Sequence, residues 1–266
     1  MSIPGARLVT SLSNDTVKSV RALHMRKERE ETGLFLAEGL KIVIDALELG
    51  HVPRFLMFSR EADHPKLVEA ARATLKGGGE VIEVTHDILK KVSRRDNPQT
   101  VVAVFPQVFR ALDEIDPAAA PCFVALEQVR DPGNLGTIVR TADAAGCGGV
   151  ILIGDTVDPF SVEAIRATMG SIFAVPISRA TREQFLAWRK RWPGSVVGTL
   201  LSAPHNHRTA PYREPSLIVM GPEQAGLSPE LAAACDVNVK IPMRGRADSL
   251  NLAVATGIMI YAAQGL

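Results

Sequence analysis

Residues 241–254 read IPMRGRADSLNLAV. Before them runs VNVKIP (237–242), whose alternating valines spell a strand; after them, 250–263 repeats apolar residues at helical spacing. Between strand and helix stand Gly245, Arg244, Arg246, Ser249 and Asn251. A plain connection needs one turn residue and one cap. Ser249 is placed to cap the helix, which leaves Asn251 and both arginines without a capping duty. The surplus of polar and flexible groups marks this as a loop that binds something.

Working outward, the second half of the chain alternates strands with helices. The strands are CFVALE, GVILIG, AVPIS, SVVGTL, SLIVMG and VNVKIP, and the helices are 134–145, 159–168, 182–192, 228–234 and 250–263. Near-continuous apolar strands separated by helices describe a mostly parallel sheet with helices on both faces, the α/β class. Ligands of such sheets sit beyond the carboxyl ends of the strands. That rule selects three loops: EQVRDPGN (127–134), GPEQAGLS (221–228) and PMRGRADSLN (242–251).

Residues 8–104 form a smaller α/β series. A helix starts at Asn14 with Val17, Val20 and Leu23 on one face; strands follow at Leu34–Ala37, PRFLMFS, VIEVT and TVVAVF, and HPKLVEAARATLKGGG is a helix closed by glycines. PQVFRALDEIDPAAAP (106–121) carries little periodicity. The expected division is 1–106 as one domain, 107–120 as linker and 121–266 as the second domain. A chain of residues 118–266 is expected to fold by itself.

The 46% hydrophobic and 22% charged residues of this 266-residue chain are those of a globular protein with a sizeable core. Three distant cysteines (Cys122, Cys147, Cys235) make neither a disulfide framework nor a zinc knuckle, which fits a reducing compartment. No run has transmembrane length. The first residues lack a signal-peptide core, and Asp15, Glu28, Glu30 and Glu31 argue against a transit peptide. Net charge is +1. Residues 1–110 hold 17 Lys/Arg against 14 Asp/Glu, and the remainder 13 against 15, so the first part is mildly basic. Its cations gather in MRKER (25–29) and KKVSRR (90–95). Such runs are either a solvated face of alternating charge or a contact for a polyanion.

In the first loop, Asn134 is placed as N-cap of NLGTIVRTADAAG. Successive 100° steps put Leu135, Ile138, Val139, Ala142 and Ala145 on one face, and Arg140 nearly opposite, one turn above Gly136. Arg140 either pairs with Asp143 at i+3 or reaches a phosphate or a second subunit. In the second loop, Gly221 and Gly226 permit close backbone approach or positive φ. Ser228 and Pro229 are an N-cap and its N1 proline. Glu223 has no such structural duty. HNH (205–207) reads as exposed turn residues rather than metal ligands.

NLGTIVR, GPEQAG and IPMRGRADSLN, in this order, resemble the three motifs of the SpoU (TrmH-like) RNA ribose 2′-O-methyltransferases, and RATMGSIF (166–173) resembles a further segment of that family, with Thr168 where serine is common. The N-terminal stretch from Leu8 to Gly50 resembles the family's substrate-binding domain, a small ribosomal-protein-L30-like α/β fold. Because that domain begins so early, no transit peptide is expected in front of it. The resemblance implies S-adenosylmethionine as donor, a homodimer, a deep trefoil knot in the C-terminal SPOUT domain, and a cytoplasmic enzyme needing neither metal nor membrane. It implies cofactor contacts from Thr199, Leu200, Gly221, Ile241, Met243, Ser249 and Leu250. It implies catalytic roles for Arg140, Asn134, Glu223 and Asn251, with Asn134 and Glu223 holding the arginine and the loop geometry and Asn251 bonding across the site. RNA is the implied partner, with ribosomal RNA favoured over transfer RNA. A non-catalytic RNA-binding assembly factor of the same fold is the main competitor. A knotted enzyme acting on a base nitrogen would not need the Asn–Arg motif, and a Rossmann enzyme would need a G-x-G-x-x-G turn that the chain lacks.

Overall fold

The apolar runs form strands close to where periodicity places them, and a computed structural model, which describes residues 3–223 and 225–266, sorts them into two sheets. The chain divides into two units: residues through Gln107 together with Phe160–Phe173, and Val108–Pro159 together with Ala174–Leu266.

The first unit contains β1 (Arg7–Val9), α1 (Asp15–Ala22), α2 (Arg26–Thr32), β2 (Leu34–Glu38), α3 (Leu40–Glu48), β3 (Phe55–Ser59), α4 (Pro65–Lys76), β4 (Glu80–Val84), α5 (His86–Ser93) and β5 (Val101–Pro106). Its sheet runs β1-β4-β3-β5-β2 and is mixed, with β1, β4 and β3 parallel and β5 antiparallel to both neighbours. Asn14 caps α1 by accepting from the Thr16 amide at 3.0 Å. Val17, Val20 and Leu23 enter the core beside Met57, Ile82, Ile88 and Val102, as their helical spacing requires.

Residues 160–173 join this unit although they lie far along the chain. Their helix, Val162–Thr168, places Val162 in the same core. Phe160 and Phe173 flank Phe35, with ring centroids at 4.8 and 5.8 Å. Arg166 donates to Oε1 of the buried Glu38 at 2.8 Å and to the Ser93 carbonyl at 3.1 Å. The Thr168 hydroxyl donates to the Ile165 carbonyl and accepts from the Gly170 amide, so it shapes the turn that follows its helix.

The second unit contains β6 (Cys122–Glu127), α6 (Pro132–Ala144), β7 (Val150–Ile153), β8 (Ile177–Ala180), α8 (Arg182–Trp188), β9 (Val196–Thr199), β10 (His205–Asn206), β11 (Ser216–Met220), α9 (Pro229–Ala234), β12 (Val237–Lys240) and α10 (Leu252–Gln264); α7 is the helix Val162–Thr168 already described. All pairs are parallel, in the order β10-β12-β9-β11-β6-β7-β8. The central strands β6 and β11 are buried along their whole length, which is why they read as apolar runs interrupted only at their ends, by Glu127 and Ser216. β8 starts after Pro176, because proline has no N–H for the ladder. Leu135, Ile138, Val139, Ala142 and Ala145 are buried along α6, the face that the 100° steps select.

Residues 108–120 belong to the second unit rather than to a free linker. They form two 3₁₀ turns, Leu112–Glu114 and Pro117–Ala119. Leu112 and Ile115 pack against the core of Phe123, Phe185, Trp188 and Trp192. The Arg110 amide donates to the Ile177 carbonyl at 2.8 Å, and the Arg179 guanidinium stands 3.9 Å from the Phe109 ring centroid. A chain of 118–266 would lose these contacts and would carry 160–173 without the aromatic partners that bury it. Among the described residues no helix is long and apolar enough to cross a membrane.

Candidate active site

β12, β9 and β11 are adjacent and parallel, so the loops that follow them leave the same edge of the sheet. Between those loops lies a cavity of about 270 Å³. Thr199, Leu200, Gly221, Ile241, Met243, Ser249 and Leu250 all line it, with Glu223 at its margin. Every residue assigned to the cofactor by resemblance therefore faces one cleft.

The second loop is held close by its glycines. A Cβ on Gly221 would lie 2.2 Å from the Gly226 carbonyl carbon and 2.2 Å from the Leu227 nitrogen, so two backbone segments meet where no side chain fits. Gly226 takes φ +66°. The next amide, Ser228 N–H, donates to Glu127 Oε2 at 2.8 Å, and Glu127 is buried against Arg182 at 3.0 Å. Ser228 then caps α9, with Pro229 in the first turn. Gly245 in the third loop differs: a Cβ there meets nothing within 4 Å. Backbone crowding thus assigns importance to Gly221, not to Gly245.

Three polar side chains connect the three motifs. Asn251 Nδ2 donates to Asn134 Oδ1 at 2.8 Å, and Asn134 Nδ2 donates to Glu223 Oε1 at 2.5 Å. The direction of this relay is fixed by chemistry. A carboxylate only accepts, so Asn134 must offer its NH₂ to Glu223 and its oxygen to Asn251. Asn251 keeps its own oxygen for the Ala253 and Val254 amides at 2.9 and 3.3 Å.

These bonds revise the capping expectations. Asn251 is the N-cap of α10, while Ser249, two residues upstream, lines the cleft. Asp131 is the N-cap of α6, accepting from the Asn134 amide at 2.6 Å with Pro132 behind it. Asn134 lies inside the first turn, which frees its side chain for the relay.

Arg140 is exposed on α6 and makes no hydrogen bond or ion pair among the described residues; the expected Asp143 partner is not engaged. Gly136, one turn earlier, is buried. Six residues at 100° each separate Arg140 from Asn134 by about 240° around the helix. Among the described residues the relay bonds loop to loop and does not reach Arg140. The guanidinium is available to a ligand or to a second subunit.

Two further expectations change. The HNH segment contributes the short edge strand β10, and His207 is buried, its amide donating to the Lys240 carbonyl at 3.0 Å. Burial holds the His207 imidazole below its ordinary pKa, opposed by a separate contact of the ring with the Lys240 backbone. The MRKER run is largely neutralised on its own helix: Arg26 pairs with Glu30 at 2.7 Å, Lys27 with Glu31 at 3.6 Å, and the buried Arg29 donates to the Leu23 carbonyl at 2.8 Å.

Comparison with known proteins places this geometry. The profile of the SpoU rRNA Methylase family matches residues 121–261, and that of the MRM3-like substrate binding domain matches residues 14–103. The chain is 32% identical over 257 residues to a 23S rRNA (guanosine(2553)-2′-O)-methyltransferase of Bacillus subtilis, covering 97% of this chain and 99% of the relative. It is 30% identical over 267 residues to a 23S rRNA (uridine(2479)-2′-O)-methyltransferase of Streptomyces viridochromogenes, covering 98% and 92%. The crystal structure of an AdoMet-bound rRNA methyltransferase from Sinorhizobium meliloti matches with a TM-score of 0.92 and 49% identity, over 98% of each chain.

Proposed function

Since the chain belongs to the SpoU rRNA methylase family, we propose that it transfers a methyl group from S-adenosylmethionine to a ribose 2′-hydroxyl of ribosomal RNA. The observation that carries this reading is the Asn251–Asn134–Glu223 relay, which ties all three motif loops together at the margin of one cleft. The relatives named above act on 23S rRNA, which makes that molecule the first substrate to try.

The cleft fits the cofactor. Leu200, Ile241, Met243 and Leu250 offer apolar faces to a flat base. Among the described residues Thr199 Oγ1 is buried with no hydrogen-bond partner, a cost that a polar ligand group would relieve. Gly221 brings backbone to the wall without a side chain in the way. S-adenosylmethionine supplies, when bound, an electrophilic methyl group on a sulfonium.

The protein's own task is to orient a poorly nucleophilic alcohol and to stabilise the negative charge that grows on its oxygen. Arg140 suits this work: its guanidinium stays protonated, offers a planar fork to phosphate, and has no competing partner among the described residues. Asn134, Glu223 and Asn251 act as positioning residues that keep the loops in register. α10 is apolar on most sides, yet Val254 is 53% and Tyr261 40% exposed, which supports a homodimer formed over this helix. The reading carries with it the family's trefoil knot around the second and third loops, and a cytoplasmic location where ribosomal RNA is found.

The test is methyl transfer from labelled S-adenosylmethionine to 23S rRNA, followed by mapping of ribose methylation with and without the protein. A single protein-dependent 2′-O-methyl site is the expected result. Label on a base, or none on any RNA while the cofactor binds, would refute it.

A further inference from the structure

Of the two basic runs in the first unit, the second keeps part of its charge unpaired, and it lines a concavity. The last turn of α1 presents Arg21, and α5 presents Lys90 and Lys91. Arg94 then closes α5 in a left-handed conformation, φ +54°, which turns the chain back and adds Arg94 and Arg95 to the same group. A non-glycine residue in that region costs free energy that glycine would avoid, so the side chain is kept against a local penalty. These five cations line a cavity of about 320 Å³, with Asp96 as the acid on its wall.

Little offsets them. Lys90 meets Asp96 at 3.0 Å, but that carboxylate is 94% exposed. Arg95 stands at a long 3.7 Å from Glu38. Arg21, Lys91 and Arg94 make no hydrogen bond or ion pair among the described residues. Behind the wall, the buried Glu38 is matched by Arg166 at 2.8 Å. Beside them, His24 is held below its ordinary pKa by burial first, opposed by its bond to the Val92 carbonyl, and then further lowered by the positive charge of Arg94.

Collecting like charges in a concave wall is unfavourable until a polyanion occupies it. An RNA backbone is such a polyanion, and arginine is the side chain suited to its phosphates. We infer that this pocket, through Arg21, Lys91 and Arg94, anchors backbone phosphates of the RNA substrate outside the methyl-transfer cleft. The inference rests on the proposed function for its choice of RNA over other anions. The paired run at 26–27 is a solvated face and takes no part.

The experiment compares the wild-type chain with R21A/K91A/R94G, in which glycine keeps the left-handed turn, and with the control R26A/K27A. Each is titrated with a 23S rRNA transcript at several salt concentrations. Each neutralised phosphate adds about 0.7 to 0.9 to the slope of log affinity against log salt. Losing three contacts therefore lowers the slope by about 2 to 3. Over a four-fold rise in salt, the wild type loses about 20 to 40 times more affinity than the triple variant. The control should follow the wild type, and all three proteins should bind S-adenosylmethionine equally and methylate at similar rates when RNA is saturating. Equal slopes for wild type and triple variant would overturn the inference, as would equal losses in the triple variant and the control. Absence of cofactor-dependent methylation by the wild type would refute the proposed function instead, while the comparison of slopes still decides the pocket.

Discussion

Substituting alanine for Gly221 probes the cleft through a single methyl group. The added Cβ would lie 2.2 Å from two backbone atoms of Gly226 and Leu227, where ordinary contact begins at 3.4 Å. The two segments must separate by about 1 Å, and neither is loose: Leu227 is 5% exposed, and the Ser228 amide is fastened to Glu127. Overpacking of this kind costs about 1–3 kcal/mol. If that cost falls on the bound form, S-adenosylmethionine affinity drops by about 5- to 150-fold. Calorimetric titration measures it, and Gly245→Ala serves as the matched control because its Cβ meets nothing within 4 Å. Gly221→Ala binding the cofactor as tightly as the wild type, with an unchanged melting temperature, would show that this wall is not what shapes the site.

Arg140→Ala should reduce single-turnover methylation by about 100-fold or more, the scale of a lost oxyanion stabiliser, while leaving thermal stability unchanged because the exposed side chain has no partner among the described residues; wild-type turnover would remove Arg140 from the chemistry. Acidification should destabilise the fold. His24 and His207 both have folded pKa values lowered from 6.5, so below that pH the unfolded chain binds protons that the folded chain refuses. Stability contributed by the neutral rings is complete above pH 6.5 and is lost as pH falls toward the lower folded values. A melting temperature that rises between pH 7 and 5.5, or that His24→Gln and His207→Gln leave with the same slope, would contradict this. A chain of residues 118–266 should be poorly soluble or loosely packed, since Leu112 and Ile115 are missing and Phe160 and Phe173 lose Phe35. A sharp, cooperative melt of that fragment near the full-length temperature would count against the division into units described above.

Much of the site was legible as a linear pattern. The strands announced themselves because strands buried on both faces are mostly apolar, as β6 is up to Glu127 and β11 is after Ser216. The carboxyl-end rule then selected the loops, and the resemblance named the residues that line the cleft. Even the weakness of the 25–29 run was readable, since Arg26–Glu30 and Lys27–Glu31 are i, i+4 pairs.

What the sequence by itself determined was therefore local or strictly periodic: the α/β class, the core face of α6, the motif loops and the family. Tertiary structure alone decided whatever depends on residues distant in the chain. Periodicity assigns 159–168 to a helix but is blind to Glu38 and Phe35, more than a hundred residues earlier, which draw that segment into the first unit. Cap propensity ranked Ser249 and Asn134 as caps, because it counts only neighbouring amides. In the fold, Asn134 meets Glu223 and Asn251 from two other loops, and its side chain goes to them while Asp131 takes the cap. Gly221 and Gly245 look alike in sequence, and only the approach of Gly226 separates them. Short-range preferences are encoded by spacing, but the winner among competing partners is fixed when the chain closes and the distances become real.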